Sequence, residues 1–234
     1  MLHHFDTELD NLKQKLLAMA SHAETAVNHA VQALVERDYG LALQVKEDDK
    51  VLDQFEIEID DLAIHLLAKA PLASDLRLIT VAMKISQNLE RVGDEASKIA
   101  NRARDLSQEP PLKQSVDIPA MARLAVQMLK KSLDSFVDHD PAAARALIPG
   151  DNEVDSLNKQ IHRDLAQIMV ADPETITRCL NLMIVSKSLE RIADHATNVA
   201  EEVVYLYEAQ DIRHSGATSK FQDPTSKKAP SPKP

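Results

Sequence analysis

The sequence predicts an all-α protein built as two tandem three-helix bundles, and three observations carry that expectation. Four Gly, no Trp and 3% aromatics leave few strand formers, while Ala, Leu, Glu, Lys and Gln are abundant. Apolar residues recur at alternating spacings of three and four, which marks one face of a helix. The segment Leu89-Glu90-Arg91-Val92-Gly93-Asp94 returns about 100 residues later as Leu189-Glu190-Arg191-Ile192-Ala193-Asp194, so an internal duplication is the simplest account.

The first helix is read from Phe5, Leu9, Leu12, Leu16, Met19, Ala23, Ala26, Ala30 and Ala33. After Tyr39-Gly40 the pattern resumes through Leu41, Val45, Leu52, Phe55, Ile59, Leu62 and Leu66. It should stop at Pro71, which cannot sit inside a helix without losing a hydrogen bond. A third helix carries Leu89, Val92, Ala96, Ile99 and Ala103 and ends before Pro110-Pro111. The second half repeats the plan, with helices near Ile118 to Asp138, from about Pro141 to Ala171, and from about Pro173 to Tyr207. Asp172 before Pro173 suits an N-cap followed by a first-turn proline. The expected units are 1–108 and 109–210, followed by a Ser/Pro/Lys-rich tail, 211–234, expected to be disordered.

A net charge of −10 would repel a phosphate backbone, so nucleic acid is not an expected partner; metal cations or a basic protein surface suit it better. No apolar run reaches membrane-spanning length and the N-terminus lacks a secretory pattern, so a cytoplasmic protein that is not membrane-embedded is expected. The single cysteine, Cys179, excludes an internal disulfide and reads as a small residue packed in a helix.

Four acid-x-x-x-Asp pairs stand out: Asp49 with Asp53, Glu90 with Asp94, Asp151 with Asp155, and Glu190 with Asp194. Each places two carboxylates about one turn apart on one helix face, which costs a few tenths of a kcal/mol in repulsion. Taken singly, each pair reads as a solvated charged face. Position changes that reading, because the pairs lie at similar separations on either side of the two expected hairpin turns. At a rise of about 1.5 Å per residue, antiparallel helices would bring the pairs of each hairpin to the same height within roughly 3 Å. Four carboxylates would then meet at one level, off the Leu89-Val92-Ala96-Ile99 seam and therefore at the surface of the bundle. Such a cluster either raises carboxylate pKa values or attracts a cation. Oxygen-only donors favour a transition metal or divalent cation such as iron, manganese or magnesium, with zinc less favoured.

Gly93 lies between two ligand candidates, and its expected reason is close helix packing, with Ala193 as its small counterpart. Among the nine histidines, His22 and His29 read as surface residues and His195 as a structural or surface residue turned away from Asp194. No Glu-x-x-His occurs, which weakens a di-iron oxidase reading. P-loop, dinucleotide and nucleophile-elbow motifs are also missing from the sequence.

These residues resemble the PhoU family across roughly residues 5 to 214. The two Leu-Glu-Arg-(Val/Ile)-(Gly/Ala)-Asp segments carry the resemblance, supported by Ser74-Asp75-Leu76-Arg77 and Asp211-Ile212-Arg213-His214. It implies two similar three-helix bundles, multinuclear metal clusters at the acid-x-x-x-Asp motifs, and negative control of the phosphate-starvation response without enzymatic turnover. The implied partners are the ATPase subunit of a high-affinity phosphate ABC transporter and a PhoR-like sensor histidine kinase, and a homodimer is compatible. In the second repeat the family-like continuation Asn198 and Glu201 is present, whereas the first repeat has Lys98 and Asn101. Weaker metal occupancy is therefore expected in the first repeat. The competing readings are a metal-dependent, di-iron-like helical enzyme and a metal-free helical scaffold.

Overall fold

The computed structural model describes residues 2–70, 72–114 and 116–213. Helices α1 (Leu2–Glu36), α2 (Tyr39–Leu67) and α3 (Ala73–Ser107) form the first bundle. In the second, α4 (Ile118–Val137), α5 (Pro141–Leu147) and α6 (Asp151–Ala171) pack around α7 (Ile176–Glu208). The all-α, duplicated architecture expected from the sequence is the one observed, and no strand occurs among the described residues. Pro71 and residues 214–234, most of the expected tail, lie outside the described residues.

The apolar spacing of α1 buries Leu12, Leu16, Met19, Ala23, Ala30 and Ala33; Val27 joins them fully buried, while Ala26 packs against the core partly buried. The first turn falls at Arg37-Asp38, earlier than the expected Tyr39-Gly40. Arg37 adopts the left-handed region at φ 57 and the Asp38 carboxylate accepts the Leu41 N–H at 3.0 Å, so Tyr39 and Gly40 are already helical. The second repeat builds the same turn, with His139 at φ 57 and Asp140 accepting from Ala142 and Ala143.

One expected helix, Pro141 to Ala171, is interrupted. A 3-10 turn at Ile148–Gly150 separates α5 from α6. Pro149 supplies the reason, since it lacks an N–H and its ring crowds the preceding turn. The helix restarts at Asp151, which therefore sits at an N-terminus. Likewise the expected start at Pro173 is a 3-10 turn, Pro173–Thr175, with the Asp172 carboxylate accepting from the Glu174 N–H.

The bundles join through α3 and α7, which run antiparallel. Arg102 reaches Asn181, Arg191 reaches Glu95, His195 reaches Asn88 and Lys84 reaches Glu202, so residue numbers rise along one helix as they fall along the other. The repeated Leu-Glu-Arg segments consequently face each other near the centre of the molecule. Among the described residues, no helix is long and apolar enough to cross a membrane. Cys179 is buried, as expected of a packed small residue.

Candidate metal centre

In the first repeat the carboxylates of α2 and α3 come within electrostatic reach of one another. Partial burial, followed by the charges of Asp94 and Asp53, raises the pKa of Asp49. Glu90 is raised by burial and then by Asp94, Glu56 and Asp53. All four residues expected there, Asp49, Asp53, Glu90 and Asp94, thus share one field. Asp53 and Asp94 are exposed while Asp49 and Glu90 are half-buried, which places the group at the bundle surface.

Gly93 explains how α2 approaches so closely. A Cβ there would lie 2.3 Å from Leu52 Cδ1 and 3.3 Å from Asp49 Oδ1, closer than packed atoms tolerate. The reading of Gly93 as a packing residue holds, and the close approach it permits also sets the position of Asp49.

The second repeat assembles its equivalents from α6 and α7. Burial, then Asp155 and Glu190, raise Asp151. Desolvation, then Asp151 and Glu190, push Asp194 up to about 6. Two members of this group already have lysine partners: Lys159 lies 3.8 Å from Asp155, and Lys187 is hydrogen-bonded to Glu190. Asn198 donates instead to Asn88 Oδ1 at 3.2 Å across the repeat boundary, while the charge of Glu201 acts on Arg213.

Between the repeats lies a polar groove of about 660 Å³, bordered by Asp94 of one group and Asp151 and Asp194 of the other. Glu95 on its floor is 4% exposed, and its Oε1 accepts from Lys98 at 3.0 Å and Arg191 at 3.1 Å. Burial pushes Glu95 up, but the neighbouring Ser188 hydroxyl and the hydrogen-bonded Lys98 and Arg191 together outweigh it and hold the carboxyl below its usual range. Burial lowers the pKa of His195, which borders the groove and whose Nδ1 lies 3.0 Å from Asn88 Oδ1. His22 is exposed and packs its ring on Phe55, while His29 is half-buried.

Three participants escaped the sequence reading. Glu56 stands one turn beyond Asp53 on α2, and its pKa is raised by burial and by Asp60 and Asp53. Ser97 and Thr197 each follow the motif aspartate by three residues. Their hydroxyls are buried without a hydrogen-bond partner. Repeating the i, i+3 step beyond each acid pair would have found all three.

The donor chemistry fits a hard cation: each group offers carboxylates raised by burial and then by mutual repulsion, beside a buried hydroxyl that lacks a partner. Among the described residues, no three His, Cys, Asp or Glu side chains converge at ligand distances. Holding an ion would therefore require rotamer changes that draw the carboxylates together, to about 2.0–2.6 Å from it.

Comparison with known proteins bears on both repeats. The PhoU domain family matches residues 16–103 and again 118–203. A Pseudomonas aeruginosa protein, the phosphate-specific transport system accessory protein PhoU homolog, is 42% identical over 92% of this chain and 89% of its own length. The homolog of the same name from Aquifex aeolicus is 38% identical over 88% of this chain and 94% of its own. The crystal structure of PhoU from Pseudomonas aeruginosa superposes with a TM-score of 0.85 at 41% identity, covering 88% of this chain and 100% of that one. The phosphate transport system regulatory protein PhoU from Streptococcus pneumoniae gives 0.82 at 27% identity, covering 89% and 99%. With both repeats matched and relatives this similar along most of their lengths, the chain belongs to the PhoU family.

Proposed function

We propose that this protein represses the phosphate-starvation response when phosphate is plentiful and modulates phosphate uptake, working in the cytoplasm as a cation-binding adaptor. Its partners in this reading are the ATPase subunit of a phosphate ABC transporter and a PhoR-like sensor histidine kinase. The observation that carries the reading is the family match over both repeats, joined to relatives named as accessory or regulatory proteins of phosphate transport. The site chemistry is consistent with it. The acidic groups lie at helix surfaces, where charge complementarity can select a partner. A bound cation would neutralise the like charges and tie neighbouring helices together. State-dependent binding of such a surface shifts a kinase between its activities without turnover by the adaptor itself.

Deleting the gene should raise alkaline phosphatase and transporter expression in high phosphate, and a copy ending at His214 should largely restore repression. Normal repression in the deletion strain, with no binding to the transporter ATPase or the kinase, would replace this reading with that of a metal-free helical scaffold.

A further inference from the structure

The two acidic groups are built from the same motif but differ in the residues around it. On α2, Asp49, Asp53, Glu56 and Asp60 follow one another at spacings of four, three and four and so share a face. The corresponding face of α6 reads Asp151, Asp155, Asn158 and His162. Asn158 is occupied, since its Oδ1 accepts the Ser186 hydroxyl at 2.5 Å. The two lysines that pair with Asp155 and Glu190, Lys159 and Lys187, are replaced in the first repeat by Ile57 and Gln87. Among the described residues, none of Asp49, Asp53, Glu90 and Asp94 makes an ion pair; the charge of Lys98 reaches Asp49, but its ammonium is paired with Glu95 at 3.0 Å.

A second observation points to a ligand. Ser97 is 9% exposed, and its hydroxyl faces Asp49 closely enough to offset part of the rise in that group's pKa. It stops short of a formed hydrogen bond and has no partner among the described residues. Leaving a buried hydroxyl unsatisfied forfeits its hydration without replacement, so such a group calls for an explanation. Thr197 is half-buried at the equivalent position, lining the groove with Asp151 and Asp194, and its hydroxyl also lacks a partner among the described residues. Sequence spacing puts Ser97 on the face of Glu90 and Asp94, and Thr197 on that of Glu190 and Asp194.

We propose that Ser97 and Thr197 are neutral oxygen donors to a hard divalent cation at their respective acidic groups, and that Glu56 and the absence of lysine partners make the first-repeat site the tighter one. The inference rests on the cation-binding reading above and reverses the ranking expected from sequence, which gave the second repeat the fuller donor set. Asn198 and Glu201, the residues behind that expectation, are engaged with Asn88 and Arg213. Oxygen ligands alone select ions such as Mn²⁺ or Mg²⁺ over those that need thiolate or imidazole.

The test is titration of the chelator-stripped full chain with Mn²⁺, following free Mn²⁺ by electron paramagnetic resonance. Two classes of site are expected. Ser97→Ala should weaken the tighter class about tenfold, the lower end of what a partner in a metal site contributes, and leave the other unchanged. Thr197→Val should do the converse. Glu56→Gln should shrink the affinity gap between the classes, and Asn158→Glu should shrink it from the other side. Circular dichroism of each variant without metal checks that the helices are kept. Parent-like binding by both hydroxyl variants overturns the donor assignment, and an unchanged gap in Glu56→Gln and Asn158→Glu overturns the ranking. A parent chain that binds no Mn²⁺ is a distinct outcome, which removes the cation-binding reading itself and this inference with it.

Discussion

The two repeats carry one Leu-Glu-Arg segment on different supports. In the first, α2 runs unbroken through Asp49 and Asp53, so both carboxylates lie in the helix interior. In the second, the 3-10 turn around Pro149 makes Asp151 the first residue of α6, with its N–H donated to the Ile148 and Pro149 carbonyls. Their packing differs in a compensating way. Leu52 faces Gly93, while the equivalent positions hold the fully buried Val154 and Ala193, so a carbon's worth of volume has moved from one side of the seam to the other. The motif thus fixes where the acids stand, and the facing helix decides how much of their charge is already answered.

The sharpest way to break that comparison is through the two arginines of the repeated segment. Arg191 pairs with the buried Glu95, whereas Arg91 makes no ion pair among the described residues. Arg191→Ala should lower unfolding free energy by about 1.5–3 kcal/mol, the range for a hydrogen bond to a charged group. Arg91→Ala should stay within about 0.5 kcal/mol of the parent, as surface changes usually do. Urea denaturation of both variants decides the matter. Equal losses would mean that the residual contacts to Glu95 from Lys98 and Ser188 suffice and that the repeats are alike here.

Gly93→Ala should have the next largest effect. The added methyl meets Leu52, itself 2% exposed. Overpacking costs about 1–3 kcal/mol, and helix propensity returns about 1 kcal/mol. A net loss is expected, and adding Leu52→Val, the pairing used by the second repeat, should recover it. A single variant more stable than the parent would show that Leu52 repacks freely and that the seam is not tight.

How much of this was legible in the sequence follows the range of each interaction. Helix identity, the Asp172 cap and the duplication all rest on local spacing and could be read directly. The break at Ile148–Gly150 was also local, since Pro149-Gly150 is a helix-stopping pair, but the apolar rhythm on either side hid it. The true turn at Arg37 was hidden because a left-handed arginine leaves no mark in the sequence comparable to a glycine. The engagement of Asn198 by Asn88, and the lack of partners for Ser97 and Thr197, depend on packing between helices, which spacing along one helix does not report.

Acidification should separate the repeats more gently. Asp194 has a folded pKa of about 6 against an unfolded value of 3.8, so the folded state binds the proton more tightly. The sign follows from linkage: folded stability from this group falls as pH rises from about 4 to above 6 and is regained on acidification. Metal-free parent protein should therefore lose part of this difference in Asp194→Asn, seen as a smaller change in Tm between pH 7 and pH 5. Because Asp194 is solvent-accessible, added salt should blunt the part of the effect that comes from the charges of Asp151 and Glu190. An unchanged pH dependence in Asp194→Asn would show that other acids of the group carry the titration.

Chelation should have the smallest effect on structure in both repeats. The seams are predominantly apolar: Leu12, Leu16, Met19, Leu52, Ile59, Leu89 and Ile99 in the first bundle and Met121, Leu129, Leu165, Leu189 and Ile192 in the second are essentially excluded from solvent. Each buried aliphatic side chain contributes about 1.5–3 kcal/mol, against a few tenths for each like-charged pair at the surface. The core therefore outweighs the repulsion that a lost cation would expose. Far-UV circular dichroism before and after chelation should overlay, with at most a modest fall in Tm that is larger when the first repeat is emptied, because its acids have no lysine partners. Collapse of the helical signal would mean that the acidic groups hold α2 against α3 and α6 against α7, and that the apolar seams are insufficient alone.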